Sequence, residues 1–255
     1  MPTLPPIQPI VRRKTSLATA PPSFVDFLKD NRVFFIGFAA LILIALYFIS
    51  TRQVGDLLLF INKQRTPGRD RFFIFWTRMG EIPAYLIIIA LYLTIRYRTA
   101  LFTVAVGAAA GIISGVLKAI FQHARPLRWF YDNAIELWGT LALFDPSDYS
   151  NSWAYSSFPS GHAMSAFALY SFIAFNAGRW KPVIGLTCII IAASIGFSRM
   201  YLLMHFMKDI SVGGFLGVGI GIAAFYLQFR IYPGNKNMDR GLMNRLESEQ
   251  SSLVK

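Results

Sequence analysis

The 255-residue chain is 55% hydrophobic and 15% charged with a mean hydropathy of +0.46, more apolar material than one water-soluble core of this size encloses. Its 25 Lys and Arg against 13 Asp and Glu give a formal charge of +12, which in so apolar a chain points to cations flanking membrane segments rather than to a nucleic-acid partner. A single cysteine, Cys188, excludes an intrachain disulfide and a thiolate zinc site and reads as a small core residue.

Residues 1–32 form a tail rich in proline (Pro2, Pro5, Pro6, Pro9, Pro21, Pro22), expected to be disordered and cytoplasmic, with no small-residue cleavage site ahead of the first apolar run. Six apolar runs follow, at 33–50, 82–95, 101–121, 162–178, 182–197 and 210–229. A bilayer needs roughly 20 apolar residues per helix, so the second run is short unless Met79 or Tyr97 extends it. After Phe229 the stretch Tyr232-Pro233-Gly234-Asn235 ends the helix and a polar tail continues. The expectation is an all-α polytopic membrane protein: six transmembrane helices over 33–230, between cytoplasmic tails at 1–32 and 231–255.

With both tails inside, 14 of the 25 Lys and Arg fall on the cytoplasmic side and 11 outside, three of the latter being assigned to a site below. The outside excess lies in 51–81, where Arg52, Lys63, Arg65, Arg69, Arg71 and Arg78 interleave with Leu57, Phe60, Phe72 and Trp76. This pattern predicts a helix in the headgroup plane, anchoring the protein more readily than touching substrate. The loop 127–158, with Trp129, Phe130, Trp138 and Trp153, suits the same boundary and could anchor there or cap a site.

Three polar clusters punctuate the apolar chain, each at the outer end of a helix. The first is Lys118 through Arg125-Pro126; the second is Pro159-Ser160-Gly161-His162, with Ser160 at a helix-capping position; the third is Ser198-Arg199, His205 and Asp209. Taken singly, Lys118 would snorkel and Ser160 would only cap. Together they read K-x6-R-P, P-S-G-H and S-R-x5-H-x3-D in order, and in this the chain resembles the type 2 phosphatidic acid phosphatase (PAP2) superfamily. Some members acting on lipid phosphates carry Gly-x-His-Trp/Tyr-Pro-x-Asp in the last motif. Here Met204, Met207 and Lys208 occupy variable places of that stretch, which blurs the subfamily.

The residue types fit phosphoryl transfer on their own terms. A phosphomonoester dianion must be held while charge spreads over its equatorial oxygens, so cations are required, and Lys118, Arg125 and Arg199 supply three. An Arg fork grips two oxygens at once, with each charge-assisted bond worth roughly 1.5–3 kcal/mol. Ser160 and Gly161 open a helix whose free N–H groups favour an anion, and Gly161 has no side chain to obstruct it. His205 is the candidate nucleophile, with Asp209 four residues on, facing it if the stretch is helical and fixing its tautomer. His162 would protonate the leaving alkoxide and then activate water against the phosphohistidine, a division of labour the resemblance also implies. His123 matches no motif position and reads as interfacial.

No metal-binding pattern is present: Asp132, Glu136, Asp145 and Asp148 share a loop without ligand spacing, so neither a metal nor another cofactor is expected. The resemblance implies an integral membrane lipid phosphatase acting on a terminal phosphate or pyrophosphate, by similarity in a bacterial inner membrane with its site facing the periplasm. A phosphotransferase with a lipid or sugar hydroxyl as acceptor, or a non-catalytic lipid-binding or transport protein, are the alternatives. The sequence leaves the headgroup and the oligomeric state open.

Overall fold

The computed structural model describes residues 20–143, 154–178, 180–231 and 233–243; Trp153, Asp145 and Asp148 lie outside them. Its helices are α1 (Phe24–Asp30), α2 (Arg32–Thr51), α3 (Asp56–Asn62), α4 (Pro67–Thr77), a 3-10 turn (Arg78–Gly80), α5 (Ile82–Ile95), α6 (Tyr97–Phe121), α7 (Pro126–Asn133), α8 (Ile135–Trp138), α9 (Gly161–Asn176), α10 (Lys181–Tyr201) and α11 (Met207–Arg230). No strand occurs among the described residues, so the expected all-α class holds. Proline opens α4, α5, α7 and α10, where its missing N–H costs nothing and its fixed φ suits the first turn.

Helix α9 is the axis of the bundle, packed against α11, α10 and α6 and buried along most of its length. Its small residues Ala163, Ala166 and Ala168 are fully enclosed. Helix α11 approaches it most closely because Gly213, Gly217 and Gly221 recur every four residues on the contact face; a Cβ at Gly217 would press into the Met164 carbonyl and stand 2.9 Å from the Ala168 nitrogen. That approach also brings the first turn of α11 against the start of α9, where the Ser160 N–H donates to the Asp209 carbonyl at 3.0 Å. By contrast, the outward faces of α2, α5 and α6 are apolar and exposed, as at Leu43, Ile87, Leu91, Ile112 and Val116, surfaces that only a lipid environment would cover.

Among the described residues, α2, α6, α10 and α11 are long and apolar enough to cross a membrane, and α4 with its 3-10 turn joins α5 through a 49° bend as a possible fifth crossing. The short second run is not extended at either end. Arg96 breaks the chain between α5 and α6 with an extended backbone, and Glu81 breaks it before α5. Helix α9, at 16 residues, is also shorter than a bilayer-spanning helix usually is.

Both segments expected to be tails carry structure. In the first, Ser23 caps α1 and Phe27 is completely buried, its ring 4.9 Å from Phe175 and 5.0 Å from Phe225. In the second, residues 238–240 return to the α5–α6 junction: the Arg98 N–H donates to the Met238 carbonyl at 2.8 Å and the Tyr97 N–H to the Arg240 carbonyl at 3.0 Å. Asp239 there pairs with Arg98 at 2.9 Å and with Arg96 at 2.5 Å.

Candidate active site

The site occupies the end of the bundle where α6 and α10 finish and α5, α9 and α11 begin, and the three motifs meet there. Lys118 lies in the last turn of α6, over the start of α9. A Cβ at Gly161 would stand 3.5 Å from its Nζ and 2.7 Å from the Ser114 hydroxyl, so glycine is needed at 161 to admit the neighbouring helix as well as any ligand. Arg125 caps α7, with Nη1 3.6 Å from the Met204 sulfur. Arg199, in the last turn of α10 and 7% exposed, donates from Nη1 to the Thr77 hydroxyl at 2.9 Å. The three cations lie within electrostatic reach of one another.

Holding three positive charges together in a desolvated cup is costly unless an anion joins them. The Nε atoms of Arg125 and Arg199 are buried without a hydrogen-bond partner among the described residues. Buried donors are almost always satisfied, so two orphans on converging guanidinium groups mark where anionic oxygens belong. Ser160 is fully buried as the α9 cap: its oxygen accepts from the Ala163 N–H at 3.4 Å, which leaves its own O–H to donate.

His205 and Asp209 are together, but not through a shared helical face. The chain between α10 and α11 leaves the helix, with Leu203 at φ +54°, and the Arg199 carbonyl accepts the N–H groups of both Met204 and His205 at 2.9 and 3.2 Å. Asp209 sits in the first turn of α11 and reaches back to the Phe206 N–H at 2.9 Å. Its Oδ2 then stands 3.7 Å from His205 Nδ1, with both side chains fully enclosed. The expected proximity therefore arises from a helix-start turn, not from residues one turn apart on a helix. Burial, helped by the charges of Arg199 and Arg125, holds the His205 imidazole down at about 3, so it is neutral at ordinary pH.

Two polar residues at the site carried no motif signal. Ser157, fully buried, donates to Asp209 Oδ2 at 2.5 Å and lies 3.5 Å from His205 Nδ1, bridging the pair. Glu81, at the break before α5, accepts from His162 Nε2 at 2.7 Å. Thr77 and Glu81 both belong to the 51–81 stretch, so its end lines the site while Asp70, buried and bonded to Arg65 and Tyr201, fastens the rest to α10. The 127–158 loop packs over the same end. Phe130 is completely buried, Trp129 meets Phe206 edge-on at 5.9 Å, and Ala142 exchanges two hydrogen bonds with Asn62 of α3. His123 packs its ring near Phe158 and Phe121 and donates no side-chain bond to the cup. Among the described residues, no group of three or more His, Cys, Asp or Glu is placed to hold a metal ion.

A helical bundle with lipid-facing apolar surfaces and a buried cationic cup at one rim defines an integral membrane protein built to hold an anion. The family model of the PAP2 superfamily matches residues 96–233, more than half of the chain, and the protein belongs to that superfamily. It is 36% identical over 78 residues to phosphatidylglycerophosphatase B of Bacillus subtilis, covering 28% of this chain and 36% of that protein. It is 37% identical over 90 residues to a probable diacylglycerol pyrophosphate phosphatase 1 of Schizosaccharomyces pombe, 31% of each chain. The chain thus spans about a third of the length of these curated relatives.

Two solved structures share the fold at 24% identity. Aquifex aeolicus LpxE has a TM-score of 0.54, covering 66% of this chain and 92% of its own. The first transmembrane PAP2 type phosphatidylglycerolphosphate phosphatase from Bacillus subtilis has a TM-score of 0.53, covering 82% of this chain and 100% of its own.

Proposed function

We propose that the protein is a membrane lipid phosphatase that removes a terminal phosphate through a phosphohistidine on His205. The observation that carries this reading is the pair of orphaned guanidinium Nε donors beside a buried, neutral imidazole held by a carboxylate. The phosphate oxygens take the partners that Arg125 and Arg199 lack, and Lys118 and the Ser160 O–H complete the cup. Asp209 orients His205 so that Nε2 attacks phosphorus as the P–O bond to the leaving oxygen breaks. His162 gives that oxygen a proton, then takes one from the water that displaces histidine from phosphorus, a role worth about 10²–10⁴-fold. Three fixed cations supply the charge stabilisation, so the reaction proceeds without a metal ion.

The substrate class follows from the groove beside His162. It has a volume of ≈ 760 Å³ and runs between α5 and α6 from Glu81, Ser114 and His162 past Gly107 and Gly111 to the exposed side chain of Leu86. A tail lying there would stay in the bilayer while its phosphate entered the cup. The names of the curated relatives support lipid phosphates or diphosphates as the substrates. Six crossings remain the proposed layout, with the 16-residue α9 as a protein-lined one added to the four or five apolar spans, and the cation distribution favours cytoplasmic termini with the site on the opposite side, the periplasm if the membrane is a bacterial inner one.

The test is phosphate release by purified protein in detergent, from lipid monophosphates and diphosphates offered without any acceptor alcohol and with EDTA present. Release at an unchanged rate is expected. Release only when an alcohol is added would make the protein a phosphotransferase, and loss in EDTA restored by Mg²⁺ would overturn the metal-free mechanism.

A further inference from the structure

Each histidine of the site has its own carboxylate, and only one of these lies in a motif. Asp209 stands at Nδ1 of His205, whereas Glu81 accepts from Nε2 of His162. The Glu81 side chain is 40% exposed, but the backbone that carries it is fixed. The Met79 carbonyl accepts from the Tyr170 hydroxyl of α9 at 3.0 Å, and a Cβ at Gly80 would stand 3.0 Å from Ile195 and 3.3 Å from the His162 carbonyl. The 3-10 turn is therefore pinned to α9 and α10, and the next residue meets the ring of His162 in the first turn of α9.

The charges around His162 oppose its role as an acid. Arg199 from α10 and Lys118 from α6 face the ring as cations, Arg78 of the 3-10 turn faces Glu81, and Asp209, the nearest anion on α11, is engaged by Ser157 and the Phe206 N–H beside His205. Two cations next to an imidazole disfavour the protonated form that a leaving-group acid must begin in. Glu81 supplies the compensating negative charge, and the hydrogen bond from His162 holds its own carboxyl below the usual range, so it stays ionised.

We propose that Glu81 is the positioning residue for His162: it fixes the proton on Nε2, sets a negative charge against the positive charges of Lys118 and Arg199 beside the ring, and leaves the Nδ1 proton as the one passed to the leaving oxygen. The step balances without another reactant. As the His205–phosphorus bond forms and the P–O bond breaks, the Nδ1 proton goes to the alkoxide. Neutral His162 regains it from the attacking water, and Glu81 keeps its hydrogen bond throughout. This rests on the reading of His162 as the acid and extends it to a residue outside the three motifs.

The test compares kcat/KM of the full chain in detergent for a diacylglycerol phosphate, whose leaving alkoxide needs a proton, and p-nitrophenyl phosphate, whose leaving group does not. Glu81→Gln is expected to lower the first by about 10–100-fold, less than the full 10²–10⁴-fold of acid catalysis because His162 itself remains, and the second by less than about threefold. The high-pH limb of the lipid profile should move down by about one pH unit, the acid losing its carboxylate partner. Glu81→Asp should recover most of the loss. An equal loss on both substrates, or an unmoved limb, would overturn the proposal. His162→Ala separates it from the parent reading: if that variant also spares the lipid substrate, His162 is not the acid. If it loses lipid turnover while Glu81→Gln does not, only the role of Glu81 falls.

Discussion

Arginine clusters close both ends of the bundle, and they are built differently. At the end where α5 meets α6 and α11 finishes, Arg96 and Arg98 converge on Asp239, and Arg98 also donates to the carbonyls of Gln228 and Ile231. At the other end, Arg125 and Arg199 each keep a buried Nε without a partner among the described residues, and the buried Asp209 Oδ1 has none there either. A buried guanidinium whose donors are met by the protein's own oxygens fastens structure. One held apart from a carboxylate conserves its binding capacity for something that arrives later. The first cluster ties residues 238–240 to the α5–α6 junction; the second, in the function proposed above, is completed by the phosphate.

Exchanging the roles of two arginines breaks or sustains this contrast. Arg199→Met is expected to lower kcat for a lipid phosphate by about 10²–10³-fold, the usual loss for one transition-state donor. Its melting temperature in detergent should hold or rise, because a desolvated charge has gone. Arg98→Met should do the reverse, leaving turnover per folded molecule unchanged while destabilising the protein by about 3 kcal/mol, the low end for a broken buried pair since Arg96 still holds Asp239. If both variants change only stability, the two clusters are alike and the contrast fails.

A smaller effect sharpens it. Thr77→Val removes the hydroxyl that accepts from Arg199 and should reduce kcat about tenfold, one bond of roughly 1.4 kcal/mol, with KM and melting temperature little moved. Equal kcat in Thr77→Val would show that packing alone orients the guanidinium.

The acid side of the pH profile offers a subtler check. His205 reacts neutral, and its folded value near 3 lies below the ordinary histidine value, so protonation of the nucleophile removes activity only as pH falls toward 3. A loss of kcat/KM nearer pH 6, which reports the first step alone, then belongs to the substrate phosphate, whose second ionisation lies at about 6. A kcat limb near 6.5 that responds to Arg199→Met would place the nucleophile's titration there instead.

Much of the site was legible because each residue is an isolated polar group at the end of an apolar helix, where solvation makes it expensive: Lys118, His162, Arg199 and Asp209 stand out against Leu, Ile and Ala. The residues that escaped notice lacked that contrast. Glu81 follows a stretch holding six cations, and nothing across the sequence separation of 81 between it and His162 signals that a 3-10 turn pins one to the other. Ser157 is one hydroxyl in a loop rich in them. The His205–Asp209 spacing suggested a helix where the chain turns left-handed at Leu203, since spacing alone cannot distinguish one helical turn from a helix-start turn that brings the same groups together. At the level of the fold, the four-residue recurrence of Gly213, Gly217 and Gly221 was hidden in an apolar run, yet it is what presses α11 onto α9 and sets Asp209 beside Ser160. Phe27 was similarly obscured by the prolines around it, although its burial among Phe175 and Phe225 makes α1 part of the bundle.

The central claim is that phosphorus passes through His205. Mixing purified protein with a ³²P-labelled lipid phosphate, quenching in base within the first turnovers and mapping the label by mass spectrometry tests it directly. The account predicts an acid-labile, base-stable phosphoryl group on His205 that is absent from His205→Ala and accumulates in His162→Ala if the first step still proceeds. Phosphate release by His205→Ala at the wild-type rate, or label on any other side chain, would contradict it.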